Sequence, residues 1–321
     1  MLVLGLQGSP QKKGNTSFLL SAFLREAENL GAKTDVVEVG KKNILPCRGC
    51  GYCEKKGFCI IEEDDMQGDI FPLMRQAEVI IAATPVFFYG TTAQLKMLID
   101  RCQTLWSRKY KLKLNDPGYK TRQGFLLALG ATRGKNLFEG ITLTAKYFFD
   151  AIGSGYSGSL AYRRIEKRGD MEKHPFVLTD IKEEAARLLK PLLNRKKIIF
   201  LCRENACRSQ MAAAFARYRA GDKFEIESGG SNPAVDANPV MIEVMAEKGI
   251  DMAFHHPQTI EEAIGNSRPD MVISMGCGDE CPFIPGAKRE NWNLPDPAGR
   301  PIDFMRNVRD EIEKKVTKII Q

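Results

Sequence analysis

The chain predicts two α/β domains in series, each a parallel sheet flanked by helices. Three observations carry that expectation. Apolar runs of strand length alternate with segments of helical period. The alternation stops at residues 194–197 (Asn-Arg-Lys-Lys) and restarts with the apolar run Ile198-Ile199-Phe200-Leu201. The length of 321 residues suits two medium domains, placed at 1–194 and 195–321.

The elements follow in order. Residues 1–6 form an apolar strand, residues 17–30 have helical periodicity ended by Gly31, and residues 33–39 alternate as a strand. Residues 77–84 read as a buried strand, followed by a loop and a helix over 93–104. Residues 124–129 are a strand and 137–152 a helix. The tract 163–175 is charged and irregular, a loop or a partner contact. An amphipathic helix over 179–193 is announced by Thr179-Asp180. After the boundary come the strand 198–201, a helix from Gln210 to Ala216, and a strand over 271–274. Strands alternating with helices predict parallel sheets.

With 43% apolar and 27% charged residues, the composition is that of an ordinary globular protein. The net charge of +7 is scattered over pairs such as Lys12-Lys13, Lys41-Lys42 and Lys196-Lys197. That pattern fits anionic small molecules better than nucleic acid. No apolar run approaches a membrane span, and the first strand starts without a signal peptide, so a cytoplasmic location and no membrane partner are expected. Nine cysteines in that setting argue for working thiols or metal ligands. Eight fall in two clusters; Cys102 stands alone and reads as a small hydrophobe on a helix face.

The segment from Cys202 to Ser209 is the most informative. A thiol, five residues, then Arg208 and Ser209 lie between a strand and a helix. The turn Arg203-Glu204-Asn205-Ala206-Cys207 and the helix start aim backbone N–H groups into one cradle for a tetrahedral oxyanion. Arg208 is its bidentate clamp and Ser209 its hydroxyl. The positive field favours the Cys202 thiolate as nucleophile. Asp296, between Pro295 and Pro297, is a general acid on a rigid loop or a turn residue. Cys277 and Cys281, four apart, can close a local disulfide. His255 and His256 read as surface residues.

These features resemble the thioredoxin-coupled arsenate reductases, which share the low-molecular-weight tyrosine phosphatase fold. The resemblance runs from about residue 196 to 321. It rests on the Cys-x5-Arg-Ser loop, Ser228-Gly229-Gly230, Asn238-Pro239, Cys277 with Cys281, and Asp296-Pro297-Ala298-Gly299. It implies a relay of Cys202, Cys277 and Cys281 that converts arsenate to arsenite, with Asp296 as acid and thioredoxin as reductant. A plain phosphatase or an oxyanion-sensing module are the alternatives. Ala213 and Glu204 depart from the family pattern.

The first half carries two loops and a thiol cluster. Residues 8–17, with Ser9, Lys12, Asn15, Thr16 and Ser17, join a strand to a helix and suit a phosphate. They lack both the Gly-Lys-Ser/Thr ending and Gly-x-Gly-x-x-Gly. The second loop contains Pro85, Val86, Phe87, Phe88, Tyr89 and Gly90 at the carboxyl edge of a strand; its aromatics flank a flat ring or simply pack. Cys47-x2-Cys50-x2-Cys53-x5-Cys59 leaves three readings open: a [4Fe–4S] cluster, redox thiols without metal, or zinc.

Over roughly residues 1–193 these features are similar to the flavodoxin-like NADPH-dependent FMN reductases and their iron-sulfur flavoprotein branch. The resemblance implies FMN held by the two loops and by residues 130–133. It further implies NADPH or NADH as donor and a homodimer or homotetramer formed through the flavin domain. With a flavin donor and a disulfide acceptor in one chain, electrons are expected to pass from the nicotinamide cofactor or a ferredoxin to FMN and on to Cys277 and Cys281.

Overall fold

In this computed structural model, which describes residues 1–265, 267–276 and 284–321, the chain divides into two compact units. One comprises Met1–Lys113 and Thr121–Leu193, the other Leu114–Lys120 and Asn194–Gln321. Cys277 and Cys281 lie outside the described residues.

The first unit runs β1 (Leu2–Gln7), α1 (Asn15–Asn29), β2 (Lys33–Glu38), α2 (Tyr52–Lys56), α3 (Phe71–Gln76), β3 (Val79–Pro85), α4 (Ala93–Arg101), α5 (Gln103–Tyr110), β4 (Gln123–Gly130), α6 (Glu139–Ala151), β5 (Gly155–Arg163) and α7 (Val177–Leu193). Its five strands pair in parallel in the order β2-β1-β3-β4-β5. The central strands β1 and β3 are almost wholly buried, as continuous apolar runs covered on both faces must be. Phe23, Leu19 and Leu20 of α1 and Ile181, Leu188 and Leu189 of α7 pack on one face, against Val3, Ile81 and Phe125. The strand order reverses between β1 and β3, so the loops after those strands open onto the same crevice.

Besides the short helices α2 and α3, which the sequence reading did not include, two elements of this unit differ from it. The helix expected over 93–104 is two helices, α4 and α5, meeting at Cys102. Strand β5 was not expected, because Gly-Tyr-Ser-Gly-Ser-Leu-Ala-Tyr-Arg is a half-exposed edge with little apolar alternation and a register shift opposite Gly124 and Leu126.

The second unit runs β6 (Lys196–Cys202), α8 (Arg208–Ala220), β7 (Phe224–Gly230), α9 (Pro239–Ala246), α10 (Ile260–Ile264), β8 (Met271–Ser274), β9 (Lys288–Asn291) and α11 (Ile302–Ile319). The parallel order is β7-β6-β8-β9. Period-two alternation places Ile198, Phe200 and Cys202 against α8, α9 and α11, and Ile199 and Leu201 against α10. Here the order reverses between β6 and β8, so the Cys202 loop leaves the sheet at its own switch point.

Segment Leu114–Lys120 packs within this unit. The Asn115 N–H donates to the Gly249 carbonyl at 2.8 Å, the Asp251 N–H donates to the Asn115 carbonyl at 2.8 Å, and Tyr119 lies against Tyr218. His255 is therefore not a surface residue: it is 13% exposed, with Nε2 3.5 Å from the buried Asp116 carboxylate of that segment. His256 is exposed, as expected.

Candidate functional site

In the second unit β6 ends at Cys202 and α8 begins at Arg208, so the loop between them is fixed at both ends. Cys202 is buried, and donors converge on its sulfur. The Asn205 N–H donates to Sγ at 3.2 Å, and Ser209 Oγ lies 3.0 Å away. Ser209 Oγ accepts from the Asn205 side-chain amide at 2.8 Å, which leaves its own proton for the sulfur. Asn205 holds this arrangement from a left-handed conformation at φ 50, a region Asn tolerates better than most residues. Its Oδ1 accepts from the Gln258 N–H at 2.9 Å. The 203–206 backbone is tied in turn to residues 231–238 by N–H groups of Asn232, Ala234 and Asn238 donating to Arg203, Glu204 and Ala206.

Arg208 is buried; its guanidinium donates to the Leu294 carbonyl and to Asp296 Oδ2, both at 3.1 Å. Asp296 is exposed, and its Oδ1 accepts from the Ala298 N–H at 3.1 Å. A small cavity is lined by Cys202, Arg203, Glu204, Ala206, Cys207, Arg208, Asp296 and Ala298. Nucleophile, clamp and carboxylate thus share one mouth, while Asn205 and Ser209 support it from beneath. Burial, with Cys202 and Asp296 nearby, pushes the Cys207 thiol up to about 12, so Cys207 stays protonated and is no competing thiolate.

Gly276 adds a residue the sequence reading missed. It sits at φ +79, and a Cβ there would stand 2.9 Å from an Arg208 terminal nitrogen. The backbone approaches the clamp more closely than any side chain allows.

In the first unit the two predicted loops are joined. Thr92 Oγ1 donates to the Gly8 carbonyl and also caps α4 by accepting from the Leu95 N–H. α1 starts after Gly14 with no side-chain cap, so its first N–H groups face the loop that carries Ser9 and Lys12. Ser17 is partly exposed in the first turn and Thr16 is buried. The Asn15 side chain is committed elsewhere: it donates to the Lys167 carbonyl at 2.9 Å and accepts from Gly169 and Met171 N–H at 3.1 Å. That accounts for the irregular 163–175 tract, which is anchored to the phosphate-type loop.

Pro85 and Val86 close β3, with the Val86 N–H donating to the Leu129 carbonyl. Phe87 and Gly90 bond each other reciprocally around a two-residue turn, Phe88 at φ 49 and Tyr89 at φ 61. Aromatic residues at left-handed φ are strained, and Phe87, Phe88 and Tyr89 are all exposed. Tyr89 reaches residues 134–140: a Cβ at Gly140 would meet the Tyr89 carbonyl at 2.4 Å.

The four clustered thiols line one cavity of about 390 Å3, with Arg48, Asp100, Arg101 and Thr104. Gly49, Gly51 and Gly57, all at positive φ, let the segment wind around it. The Ser107 hydroxyl lies 3.4 Å from Cys53 Sγ and the Ile61 N–H 3.5 Å from Cys59 Sγ. Burial raises the Cys53 thiol, against the lowering effect of Ser107. Among the described residues no three His, Cys, Asp or Glu side chains converge on a single ion. Cys102 is buried between α4 and α5, and burial raises its thiol far above the ordinary range, as a core residue requires. No helix among the described residues is long and apolar enough to cross a membrane.

Comparison with known proteins matches both halves. A sequence model of the NADPH-dependent FMN reductase family matches residues 1–134. One of the low molecular weight phosphotyrosine protein phosphatase family matches residues 197–321. Arsenate reductase 2 of Staphylococcus haemolyticus is 39% identical over 128 residues, covering 39% of this chain and 95% of that protein. The iron-sulfur flavoprotein of Methanosarcina thermophila is 35% identical over 133 residues, 41% of this chain and 65% of that protein, so the chain spans less than two thirds of that relative. Among solved structures, a thioredoxin-dependent arsenate reductase of Corynebacterium glutamicum is similar at 29% identity, TM-score 0.35, covering 46% of this chain and 74% of that one. The chain therefore belongs, through residues 197–321, to the low-molecular-weight phosphatase family together with the arsenate reductases, and its residues 1–134 match the NADPH-dependent FMN reductase family model.

Proposed function

We propose that the protein is a fused redox enzyme, an FMN-dependent NAD(P)H oxidoreductase joined to an arsenate reductase. The observation that carries the second half is the convergence of Asn205 N–H and Ser209 Oγ on Cys202 Sγ beside the Arg208–Asp296 pair. The Cys202 thiolate attacks arsenate; an S–As bond forms, hydroxide leaves, and the Asp296 proton converts it to water. Arg208 and the loop N–H groups hold the remaining oxygens. Cys277 thiolate then attacks Cys202 Sγ. The S–As electron pair stays on arsenic, arsenite departs, and a Cys202–Cys277 disulfide remains. Cys281 displaces Cys202 from Cys277, and two electrons with two protons from an external or internal reductant reopen the Cys277–Cys281 disulfide. Arg203, Glu204, Ala206 and Cys207 belong to this site as its walls.

In the first half, the switch-point loops fit FMN. The uncapped α1 N-terminus with Ser9, Lys12 and Ser17 takes the phosphate, Asn15 braces the loop through its bonds to residues 167–171, and residues 85–90 border the ring. Bound there, FMN supplies a hydride acceptor that can hand electrons on. The Cys47, Cys50, Cys53 and Cys59 pocket fits a [4Fe–4S] cluster better than a lone zinc, because its thiols surround a cavity rather than meeting at a point. A domain boundary at 194/195, a cytoplasmic location, thioredoxin or ferredoxin as partner and assembly through the flavin domain belong to the same reading. Fusion raises the effective concentration of donor and acceptor.

The test is arsenite formation by anaerobically purified protein, with thioredoxin or dithiothreitol, beside Cys202→Ser and Cys281→Ser. Turnover lost in the first, and lost with thioredoxin in the second, supports the relay. Aryl phosphate hydrolysis without arsenite moves the assignment to phosphatase. NADPH-driven arsenite production without thioredoxin tests internal transfer.

A further inference from the structure

Arg101 heads the fully buried large side chains among the described residues, 1% exposed, at the end of α4. Its guanidinium donates to both oxygens of Asp64, itself fully buried, and to the carbonyls of Leu45 (2.8 Å) and Ile61 (3.4 Å). Asp64 also accepts from the N–H groups of Leu45 and Met66. Burial opposes the Asp64 charge, yet these donors prevail and hold its carboxyl below the ordinary range. A buried ion pair of this kind is costly to assemble, and an apolar pair would serve packing as well. Two further observations give it a purpose. Arg101 lines the four-cysteine cavity together with Cys59, whereas Asp64 does not. The Arg101 Nε–H has no hydrogen-bond partner although it is buried. The pair is thus an oriented dipole, with its positive end at the thiols and its negative end pinned away from them.

We propose that Arg101 is the charge-compensating residue of the four-cysteine site, a fixed cation that stabilises a bound iron-sulfur cluster in its more negative, reduced state. This rests on the cluster reading given above. Four thiolates around a cluster leave a net negative charge, and reduction adds one electron and one more negative charge. Net charge and hydrogen bonds at the sulfurs are the terms that set such potentials. A guanidinium held in low dielectric on the wall of the four-cysteine cavity therefore raises the potential, and Asp64 fixes its position. Arg101 does not take part in the electron transfer; it acts through its charge on the cavity wall.

The experiment uses full-length protein reconstituted anaerobically with iron and sulfide. The cluster is titrated with dithionite and followed by paramagnetic resonance, with iron content and thermal melting measured on each sample. Arg101→Gln with Asp64→Asn removes both charges together, so no unpaired ion is left buried. We expect iron content to match the wild type and the reduced-to-oxidised ratio at fixed potential to fall about tenfold, about 59 mV for one electron. Arg101→Lys keeps the charge but loses the planar donor, and its shift should have the same sign and be smaller. An unchanged potential in every variant that binds iron overturns the assignment of Arg101 and leaves the cluster reading standing. A wild-type protein that takes up no iron and sulfide overturns both.

Discussion

The two cysteine clusters of this chain solve opposite problems. At Cys202, a backbone N–H and a hydroxyl converge on one sulfur, and each is itself held by a further bond. At residues 47–59, four sulfurs are spread around a cavity by three left-handed glycines, with few donors on each. A nucleophile needs a single thiolate aimed and stabilised before substrate arrives. A ligand set needs several sulfurs free to share a common load. The difference separates a catalytic thiol from a coordinating one more clearly than exposure does, since Cys53 and Cys59 are themselves partly buried.

The most direct way to break the comparison is Cys202→Ser. Arsenite formation should fall by about 10³-fold or more, while flavin reduction by NADPH stays at the wild-type rate. Loss of both activities would show that the two halves cannot be treated as separate chemistries. Gly276→Ala comes next. The methyl group meets the Arg208 guanidinium and the backbone is held at positive φ. A misplaced clamp should lower kcat/KM by about 10²-fold with Cys202 still alkylated at its normal rate. An unaltered kcat/KM would show that Arg208 yields freely.

How much of this was legible beforehand follows the same division. Cys202, Arg208 and Ser209 could be read because one turn between a strand and a helix dictates their contacts. Asp296 required the resemblance: it lies 88 positions from Arg208, and nothing local in Pro295-Asp296-Pro297 reports its partner. Gly276 and Asn205 were legible as residues but not as roles, since φ and close approach belong to the folded backbone. Asn15 was read as a phosphate ligand by position, yet its amide meets N–H groups of Gly169 and Met171, more than 150 residues away. Strand β5 escaped because an exposed edge does not need apolar alternation. His255 escaped because the segment that buries it, Leu114–Lys120, comes from the other half of the sequence.

A smaller effect sharpens the first-unit side. Phe88 occupies left-handed φ at the tip of the exposed turn, which costs about 1–2 kcal/mol for a residue with a side chain. Phe88→Gly relieves that strain, less about 0.5–1 kcal/mol for the added freedom of the unfolded chain, so the flavin-free protein should melt slightly higher. If the turn borders the flavin, FMN affinity should fall about tenfold in a fluorescence titration at the same time. A variant that gains stability and keeps its affinity would assign the turn to packing alone.

Cys207 should give the smallest effect on activity and the cleanest contrast within one loop. Burial first, then the neighbouring Cys202 and Asp296, pushes its thiol up to about 12. A folded value above the ordinary one, near 9, means the protonated form is favoured in the native state. Its contribution to stability is therefore full below about pH 9 and is lost as pH rises from there towards 12. Cys207→Ala should keep arsenate turnover within about threefold and flatten the alkaline limb of the unfolding curve. At pH 8, iodoacetamide followed by peptide mass spectrometry should label Cys202 and leave Cys207 unmodified. Equal labelling of the two, or an alkaline limb that the substitution does not change, would mean that the loop does not separate a working thiolate from a structural thiol five residues away.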